Sequence, residues 1–328
     1  MRHLSVVLLS ILVTAACGST EAPLAPTGPA NVSGSSAFGS ETGSATLASH
    51  AGTGSIVVDN DGADCQNADY NTIQAAVDAA HPGTTILVCA GTYTERVTIS
   101  TNGLRLLARG APDTVVLDGD NPAFFAGNHA FRLLNVSDVL IEGFTAREYF
   151  ENIRIEGGSG NTVRRNRSTA AGHDPYIVVN SANNLIEQNV GFDNLSRNAC
   201  GVNITGGASQ GNLVRNNVLT NNNWGIRIQG GADNTVVFGN DSRGNRSHGI
   251  QNIGATTEGT TIEDNRTENN PVGIAVNASA GVTVARNHAF HNTTDLVDAA
   301  SVNSQFVNNH CQTSNPAGLC AHVEGASK

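Results

Sequence analysis

A unit of about 24 residues recurs through the middle of the chain and constrains the fold more than any other feature. One part of it reads apolar, spacer, apolar, as in Ile226-Arg227-Ile228. Its first apolar residue recurs at steps of 24, 25, 24, 24 and 24, at Ile153, Ile177, Val202, Ile226, Ile250 and Ile274. Alternating apolar residues indicate β-strands, and the unit is too short for a propeller blade. The repeat therefore predicts an all-β solenoid in which each unit forms one coil.

A second part of each unit ends in asparagine. This asparagine recurs at Asn166, Asn189, Asn217, Asn240, Asn265 and Asn287, and from Asn189 on another follows five residues later. Coils of a parallel solenoid stack about 4.8 Å apart, so we expect these amides to hydrogen-bond to their copies above and below. The chain has 38 asparagines among 328 residues, and such ladders explain this excess without any ligand.

The two ends of the repeat region have different patterns. Residues 71–80 predict an amphipathic helix capped by Asn71, with an apolar face suited to covering the open end of a solenoid. We place the N-terminal cap at about 65–90. Strands are expected at 84–88 and 96–100. The repeat weakens after about residue 293, which predicts a C-terminal cap at about 293–325.

The N-terminus predicts export. Residues 4–13 are an apolar run too short to span a membrane, and Thr14-Ala15-Ala16-Cys17 supplies small residues at a cleavage point. This ending resembles the lipobox of bacterial lipoproteins, which implies a signal peptide at 1–17, a lipid on Cys17 and sorting to the outer membrane. Plain secretory cleavage is the alternative. Residues 18–54 are rich in Ser, Gly, Thr, Ala and Pro and predict a flexible tether before the folded domain at 55–328.

Five further cysteines follow Cys17. Export favours disulfides, and we expect the pairs Cys65–Cys89 and Cys311–Cys320 at the two ends of the domain. Cys200 is then left as a buried, inert thiol.

The start of the folded domain carries motifs that resemble those of a known fold family. The run Thr72-Ile73-Gln74-Ala75-Ala76-Val77, with Gly91-Thr92-Tyr93 and Val97-Thr98-Ile99, resembles the opening of right-handed parallel β-helix proteins of the pectin-lyase-like superfamily. The resemblance covers about residues 55–320. It implies the fold but not one activity, because the superfamily includes lyases, hydrolases, epimerases, esterases, adhesins and periplasmic proteins linked to copper-enzyme maturation.

Motifs for several activities are missing from the sequence. Inverting hydrolases of this fold need clustered aspartates, and no Asp-Asp pair occurs. The run Ser247-His248-Gly249 resembles an element of polygalacturonases but lacks those aspartates. We interpret His288 and His291 as a solvated pair rather than metal ligands, because they straddle a bend and lack a carboxylate partner. No metal site is predicted.

One motif suggests acid–base chemistry. Gly172-His173-Asp174-Pro175-Tyr176 partly resembles the Asp-Pro-His loop of mannuronan C5-epimerases, with the histidine before the aspartate and Tyr176 in place of histidine. The resemblance implies catalytic roles for His173, Asp174 and Tyr176. Those enzymes need an acid, a base and a cation that neutralises the sugar carboxylate.

Stacking the coils places further residues beside that motif. The residues before each repeated strand would share one bend, which brings the single tryptophan, Trp224, near His248. We expect His248 to be catalytic and Arg197, Trp224, Arg227 and Arg246 to bind substrate. An aromatic ring with nearby Arg, His and Asp side chains suits an acidic glycan. The competing interpretation is that Trp224 and Tyr176 only cover a bend.

These observations predict a broad function and leave two alternatives open. Net charge −10 argues against nucleic-acid binding. We expect a membrane-anchored envelope protein that binds or acts on an acidic polysaccharide, and any enzyme activity would be that of a lyase or C5-epimerase. No cofactor is certain, and Ca²⁺ is the candidate. The alternatives are a non-catalytic adhesion or scaffold lipoprotein and a periplasmic metal-enzyme maturation protein similar to NosD.

Overall fold

The chain winds into about ten coils of a parallel β-solenoid, as the repeat predicts. The computed structural model describes residues 55–111, 113–120, 127–194 and 196–321. The predicted signal peptide, Cys17 and the tether at 18–54 lie outside these residues. Each coil contributes one strand to each of three sheets of 11, 10 and 10 strands.

The three sheets run the length of the solenoid. The first sheet contains β1 (Ser55–Val58), β2 (Thr85–Val88), β5 (Arg105–Ala108), β8 (Leu140–Glu142), β11 (Thr162–Arg164), β14 (Leu185–Glu187), β17 (Leu213–Arg215), β20 (Val236–Phe238), β23 (Thr261–Glu263), β26 (Thr283–Ala285) and β29 (Gln305–Val307). The second contains β3 (Gly91–Tyr93), β6 (Val115–Asp118), β9 (Thr145–Arg147), β12 (Arg167–Thr169), β15 (Val190–Phe192), β18 (Val218–Thr220), β21 (Asp241–Arg243), β24 (Arg266–Glu268), β27 (His288–Phe290) and β30 (His310–Cys311). The third contains β4 (Val97–Ile99), β7 (His129–Leu134), β10 (Glu151–Glu156), β13 (Tyr176–Val179), β16 (Cys200–Thr205), β19 (Trp224–Gln229), β22 (His248–Ile253), β25 (Val272–Asn277), β28 (Thr294–Ala299) and β31 (Ser314–Asn315).

The register of the third sheet corrects the sequence alignment at one coil. Ile153 pairs with Tyr176, and Tyr176 pairs with Val202. The inward position of β13 is therefore Tyr176, and Ile177 faces outward in register with Arg154 and Asn203. The error arises because the apolar run from 176 to 179 has no polar residue to mark its outer face.

Two predicted asparagine ladders are present. In the first, the backbone N–H and Nδ2 of Asn217 both donate to Oδ1 of Asn240, at 3.0 and 2.9 Å, and Nδ2 of Asn240 donates to the carbonyl of Val214 at 2.9 Å. The pattern runs from Asn166 to Asn309. The second ladder includes Asn222, whose N–H donates to Asn245. The buried amides thus satisfy backbone groups at the bends as well as one another.

Glycine before the inward isoleucine is required by close packing. A Cβ atom on Gly225 would lie 1.8 Å from Oγ of Ser242 and 2.5 Å from the carbonyl oxygen of Gly249. No larger residue fits there without displacing backbone. The apolar residues beside it, Ile226 and Ile228, are fully buried in the interior of the solenoid.

The ends of the solenoid are closed by a helix and two disulfides. The helix α1 spans Ile73–Ala79 and is capped by Thr72, so it is shorter than predicted and Asn71 is not the cap. Its residues Ile73, Ala76 and Val77 are buried, as expected for an end cap. Cys65 is bonded to Cys89, and Cys311 to Cys320. Strands β28 to β31 continue the sheets beyond residue 293.

Replacing Asn240 by Ala is expected to lower the free energy of unfolding by about 2–4 kcal/mol, because it leaves buried donors of Asn217 and the Val214 carbonyl without partners. Urea denaturation followed by circular dichroism measures the change. Asn60→Ala is the control, since the exposed Asn60 makes one hydrogen bond, to the Thr92 carbonyl, and should cost about 1 kcal/mol or less. Equal losses in the two variants would refute a structural role for the ladder.

Candidate functional site

The outer face of the third sheet carries charged and aromatic residues in vertical register. At the first position of the strands, His129 pairs with Glu151, and Cys200, Trp224 and His248 follow one another in later coils. Because strands in the solenoid are parallel, residues far apart in sequence become neighbours about 4.8 Å apart. Two groups of side chains on this face can be separated by charge.

The first group is the carboxylate–histidine cluster, which consists of His129, Glu151, His173 and Asp174. Nδ1 of His173 lies 3.1 Å from Oδ2 of Asp174 and 3.8 Å from Oε1 of Glu151. Nδ1 of His129 lies 3.3 Å from Oε2 of Glu151. Three potential ligand atoms lie within 4.8 Å of one another, one each from Glu151, His173 and Asp174. The cluster therefore joins residues from three successive coils.

The bends before β10 and β13 bring the cluster together. The N–H of His173 donates to the carbonyl of Phe150, and the two rings stack with centroids 5.2 Å apart. Asp174 is fully buried; it accepts the N–H of Cys200 at 2.6 Å and Nδ2 of Asn203 at 2.9 Å. These contacts fix both side chains before any ligand binds.

Burial dominates the electrostatics of the cluster. Burial raises the pKa of Glu151, although the charge of Arg154 opposes this. Burial, with the charges of Arg154 and Arg132, lowers the pKa of His129 to about 4, so this imidazole is neutral at pH 7. Burial alone would raise the pKa of Asp174, but His173 and the hydrogen bonds to the carboxylate lower it overall.

An arginine network borders the cluster. Arg154 contacts Glu151 at 3.0 Å and Glu156 at 3.0 Å, and Arg132 contacts Glu156 at 2.7 Å. All of these residues lie on β7 and β10. The network holds the buried Glu151 in place by charge-assisted hydrogen bonds.

The second group is the arginine–tryptophan site, which consists of Trp224, Arg227 and His248. The guanidinium of Arg227 stacks on the indole of Trp224 at 4.5 Å from the ring centroid. Trp224 and His248 pair directly across neighbouring strands. Burial, followed by the charge of Arg227, lowers the pKa of His248 to about 4, and Nδ1 of its ring lies 2.8 Å from Oγ of Ser247.

Other residues predicted at the site lie elsewhere. Tyr176 is a core residue, contrary to its predicted catalytic role: it is 1% exposed, and its hydroxyl donates to the carbonyls of Asn166 and Val190. Arg246 donates to the carbonyl of Asn194 at 3.1 Å. Arg197 is exposed on the bend before β16.

Cys200 is fully buried and lies outside both disulfides. Its backbone N–H supports the cluster by donating to Asp174. The prediction of a buried thiol agrees with this placement.

His288 and His291 point to different neighbours. His288 stacks on His310, with ring centroids 4.8 Å apart, whereas Nδ1 of His291 lies 3.1 Å from Oε1 of Glu268. His288 and His310 also line a cavity of about 450 Å³ near the C-terminal end. The two histidines therefore do not converge, and Glu268 gives His291 a carboxylate partner that the sequence analysis did not expect.

Sequence reasoning missed Glu151 and His129. The usable signal was the coil length, because Ile153 pairs with Phe131 as well as with Tyr176. His129, Glu151 and Asp174 each lie two positions before one of these paired residues, so they occupy equivalent positions in successive coils.

The fold is that of a right-handed parallel β-helix protein. Solved structures with this fold include a polygalacturonase from Erwinia carotovora ssp. carotovora, with 12% identity, 83% of this chain and 84% of that chain covered and a TM-score of 0.59. The A-module of the mannuronan C-5 epimerase AlgE4 from Azotobacter vinelandii has 19% identity, coverages of 74% and 83% and a TM-score of 0.54. The periplasmic alginate epimerase AlgG has 14% identity, coverages of 71% and 61% and a TM-score of 0.55.

The chain belongs to the family described as periplasmic copper-binding protein (NosD), whose model matches residues 135–319. This range contains Glu151, His173, Asp174 and the arginine–tryptophan site, and begins after His129. No curated protein has a matching sequence. In the described part of the chain, no helix has the length and apolar character needed to cross a membrane.

Proposed function

We propose that the protein binds copper(II) at the carboxylate–histidine cluster. The observation that carries this proposal is the approach of ligand atoms of Glu151, His173 and Asp174 to within 4.8 Å of one another. The family description, a periplasmic copper-binding protein, supports the choice of metal.

The donor set fits copper(II) better than copper(I) or Ca²⁺. Imidazole nitrogen with carboxylate oxygen suits copper(II), whereas copper(I) prefers thiolate and thioether ligands. Ca²⁺, the cation considered from the sequence, prefers six to eight oxygen ligands. The other group with potential ligands, Asp59 with Cys65 and Cys89, offers no thiolate because its cysteines form a disulfide.

The residues around the cluster would prepare it for the ion. Hydrogen bonds from Cys200 and Asn203 orient Asp174, and stacking on Phe150 orients the imidazole of His173. A positive ion would also favour ionisation of Glu151, whose pKa burial raises. Binding is therefore coupled to proton release.

His173→Ala and Asp174→Asn are expected to weaken copper(II) binding at least about tenfold, because each removes or neutralises a ligand. Isothermal titration measures the affinity. Electron paramagnetic resonance detects the nitrogen hyperfine coupling, which His173→Ala should abolish. Affinity should fall from pH 7 towards pH 5, because protons compete with the ion for the carboxyl of Glu151, whose pKa burial raises.

Glu268→Gln provides the matched control, because Glu268 forms a carboxylate–histidine pair with the exposed His291. This variant should bind copper(II) like the wild type. An unchanged affinity and spectrum in His173→Ala, with circular dichroism showing a folded protein, would assign the ion to other residues.

We place this activity in the bacterial cell envelope, with the chain anchored through a lipid on Cys17. The lipobox-like sequence and the family description support an extracytoplasmic location. Cys17→Ser should move the protein from the membrane fraction to the soluble periplasmic fraction. Cys200→Ser is the control, since Cys200 lies in the folded domain. A soluble wild-type protein would instead support plain secretory cleavage.

Acidic polysaccharide binding is a second candidate function. The stacked Trp224 and Arg227 favour it, because an indole can pack against a sugar ring while a guanidinium pairs with a carboxylate. Adhesion or scaffolding is the non-catalytic version. A lyase or C5-epimerase would need proton transfer by His173, Asp174 or His248; the full burial of Asp174 favours ligand holding over contact with a polymer.

Trp224→Ala is expected to weaken binding of polygalacturonate or alginate about three- to tenfold, because an aromatic contact is lost. Affinity electrophoresis, with and without Ca²⁺, measures retention. Phe192→Ala is the control, since Phe192 carries a similar arginine, Arg167, at 4.5 Å on the second sheet. Equal retention of wild type and Trp224→Ala would exclude this face as the glycan surface.

A further inference from the structure

Arg227 is a buried cation without a counter-charge in the described part of the chain. Its side chain lies on the outer face of the third sheet, yet the residue is only 7% exposed. Among the described residues, Nε and Nη1 have no hydrogen-bond partner, and the arginine salt bridges all involve other guanidinium groups. This is unusual, because a desolvated charge is costly unless it is paired and hydrogen-bonded.

The neighbours of Arg227 offer no negative charge. Across the strands it pairs with Asn203 on one side and Gln251 on the other, and both are neutral amides. Asn203 is engaged with Asp174 through its Nδ2 and with Gln229 through its Oδ1. Neither of these two neighbouring side chains can therefore neutralise the charge of the guanidinium.

A second donor beside Arg227 also lacks a partner. Nε1 of Trp224 is buried and has no acceptor among the described residues. The indole and the guanidinium are in stacking contact, so their unused N–H groups belong to one location. Donors without acceptors next to a positive charge require a ligand that brings oxygen acceptors and a negative charge.

We infer that Arg227 and Trp224 form an anion-binding site for the carboxylate of an acidic sugar. This inference rests on the second candidate function and names its ligand chemistry. The carboxylate accepts from the guanidinium and from Nε1 of Trp224, and the sugar ring lies beside the indole. A metal ion is excluded from this location by the charge of Arg227, so the site is distinct from the carboxylate–histidine cluster.

The single tryptophan of the chain gives the test a direct signal. Fluorescence of the full chain is titrated with galacturonate, glucose, acetate and inorganic phosphate at constant ionic strength. We expect galacturonate to change the emission saturably and glucose to have no effect. A response to acetate equal to that of galacturonate restricts the site to a bare carboxylate, and a response to phosphate alone overturns the assignment to an acidic sugar.

Quenching tests the local charge independently of the sugar. The net charge of −10 should make caesium a better quencher than iodide. An anion site over the indole reverses this order, so we expect iodide to quench Trp224 more strongly than caesium. Arg227→Gln should restore the caesium preference.

Arg227→Gln is expected to weaken galacturonate binding about tenfold or more, because a charge-assisted contact is lost. Arg227→Lys should bind with intermediate affinity, since it keeps the charge but not the planar donor group. Arg167→Gln, which removes the guanidinium stacked on Phe192, is the matched control. Circular dichroism confirms folding of each variant.

The outcomes separate the site from the wider function. If galacturonate binds equally to wild type and Arg227→Gln, the proposed site is wrong. If the polymer is retained under those conditions, glycan binding stands on other residues. If galacturonate binds through Arg227 but no polymer is retained, the anion site stands and the polysaccharide function is wrong.

Discussion

Backbone hydrogen bonds between successive coils determine how the residues of this molecule are stacked. They hold parallel strands in register over three sheets, so equivalent positions of each unit become vertical neighbours. The asparagine ladders extend this pairing to the bends, where strand-to-strand bonding stops. The close approach of Gly225 to the next coil follows from the same stacking.

This stacking also concentrates charge on one face. Glu151 and Asp174 are buried in neighbouring coils of the third sheet, whereas Arg227 lies two coils beyond Asp174 and pairs with neutral residues on both sides. The two locations have opposite electrostatic preferences on a common surface. We propose that one binds a cation and the other an anion.

The sequence predicted the solenoid, the two ladders, both disulfides and the apolar face of the helix, because each has a local or periodic signal. His173 and Asp174 were predicted from the resemblance of their motif to an epimerase loop, and Trp224 was predicted beside His248 from the coil length. The prediction failed where periodicity is ambiguous: the run at 176–179 concealed that Tyr176 faces inward. The same misalignment concealed that Glu151 and Asp174 occupy equivalent positions in neighbouring coils, and the missing partner of Arg227 depends on three-dimensional surroundings.

The coil of Cys200 separates the levels of Asp174 and Trp224. Each repeat in a solenoid interacts mainly with its nearest neighbours. Duplication of that single coil would therefore move the two proposed binding locations apart by one step of about 4.8 Å, because one copy could keep the contacts of Cys200 and Asn203 with Asp174 while the other faced Arg227. In such a protein, the distance between two binding sites changes by whole coils. Gain or loss of repeats during evolution can therefore set the distance between two bound groups.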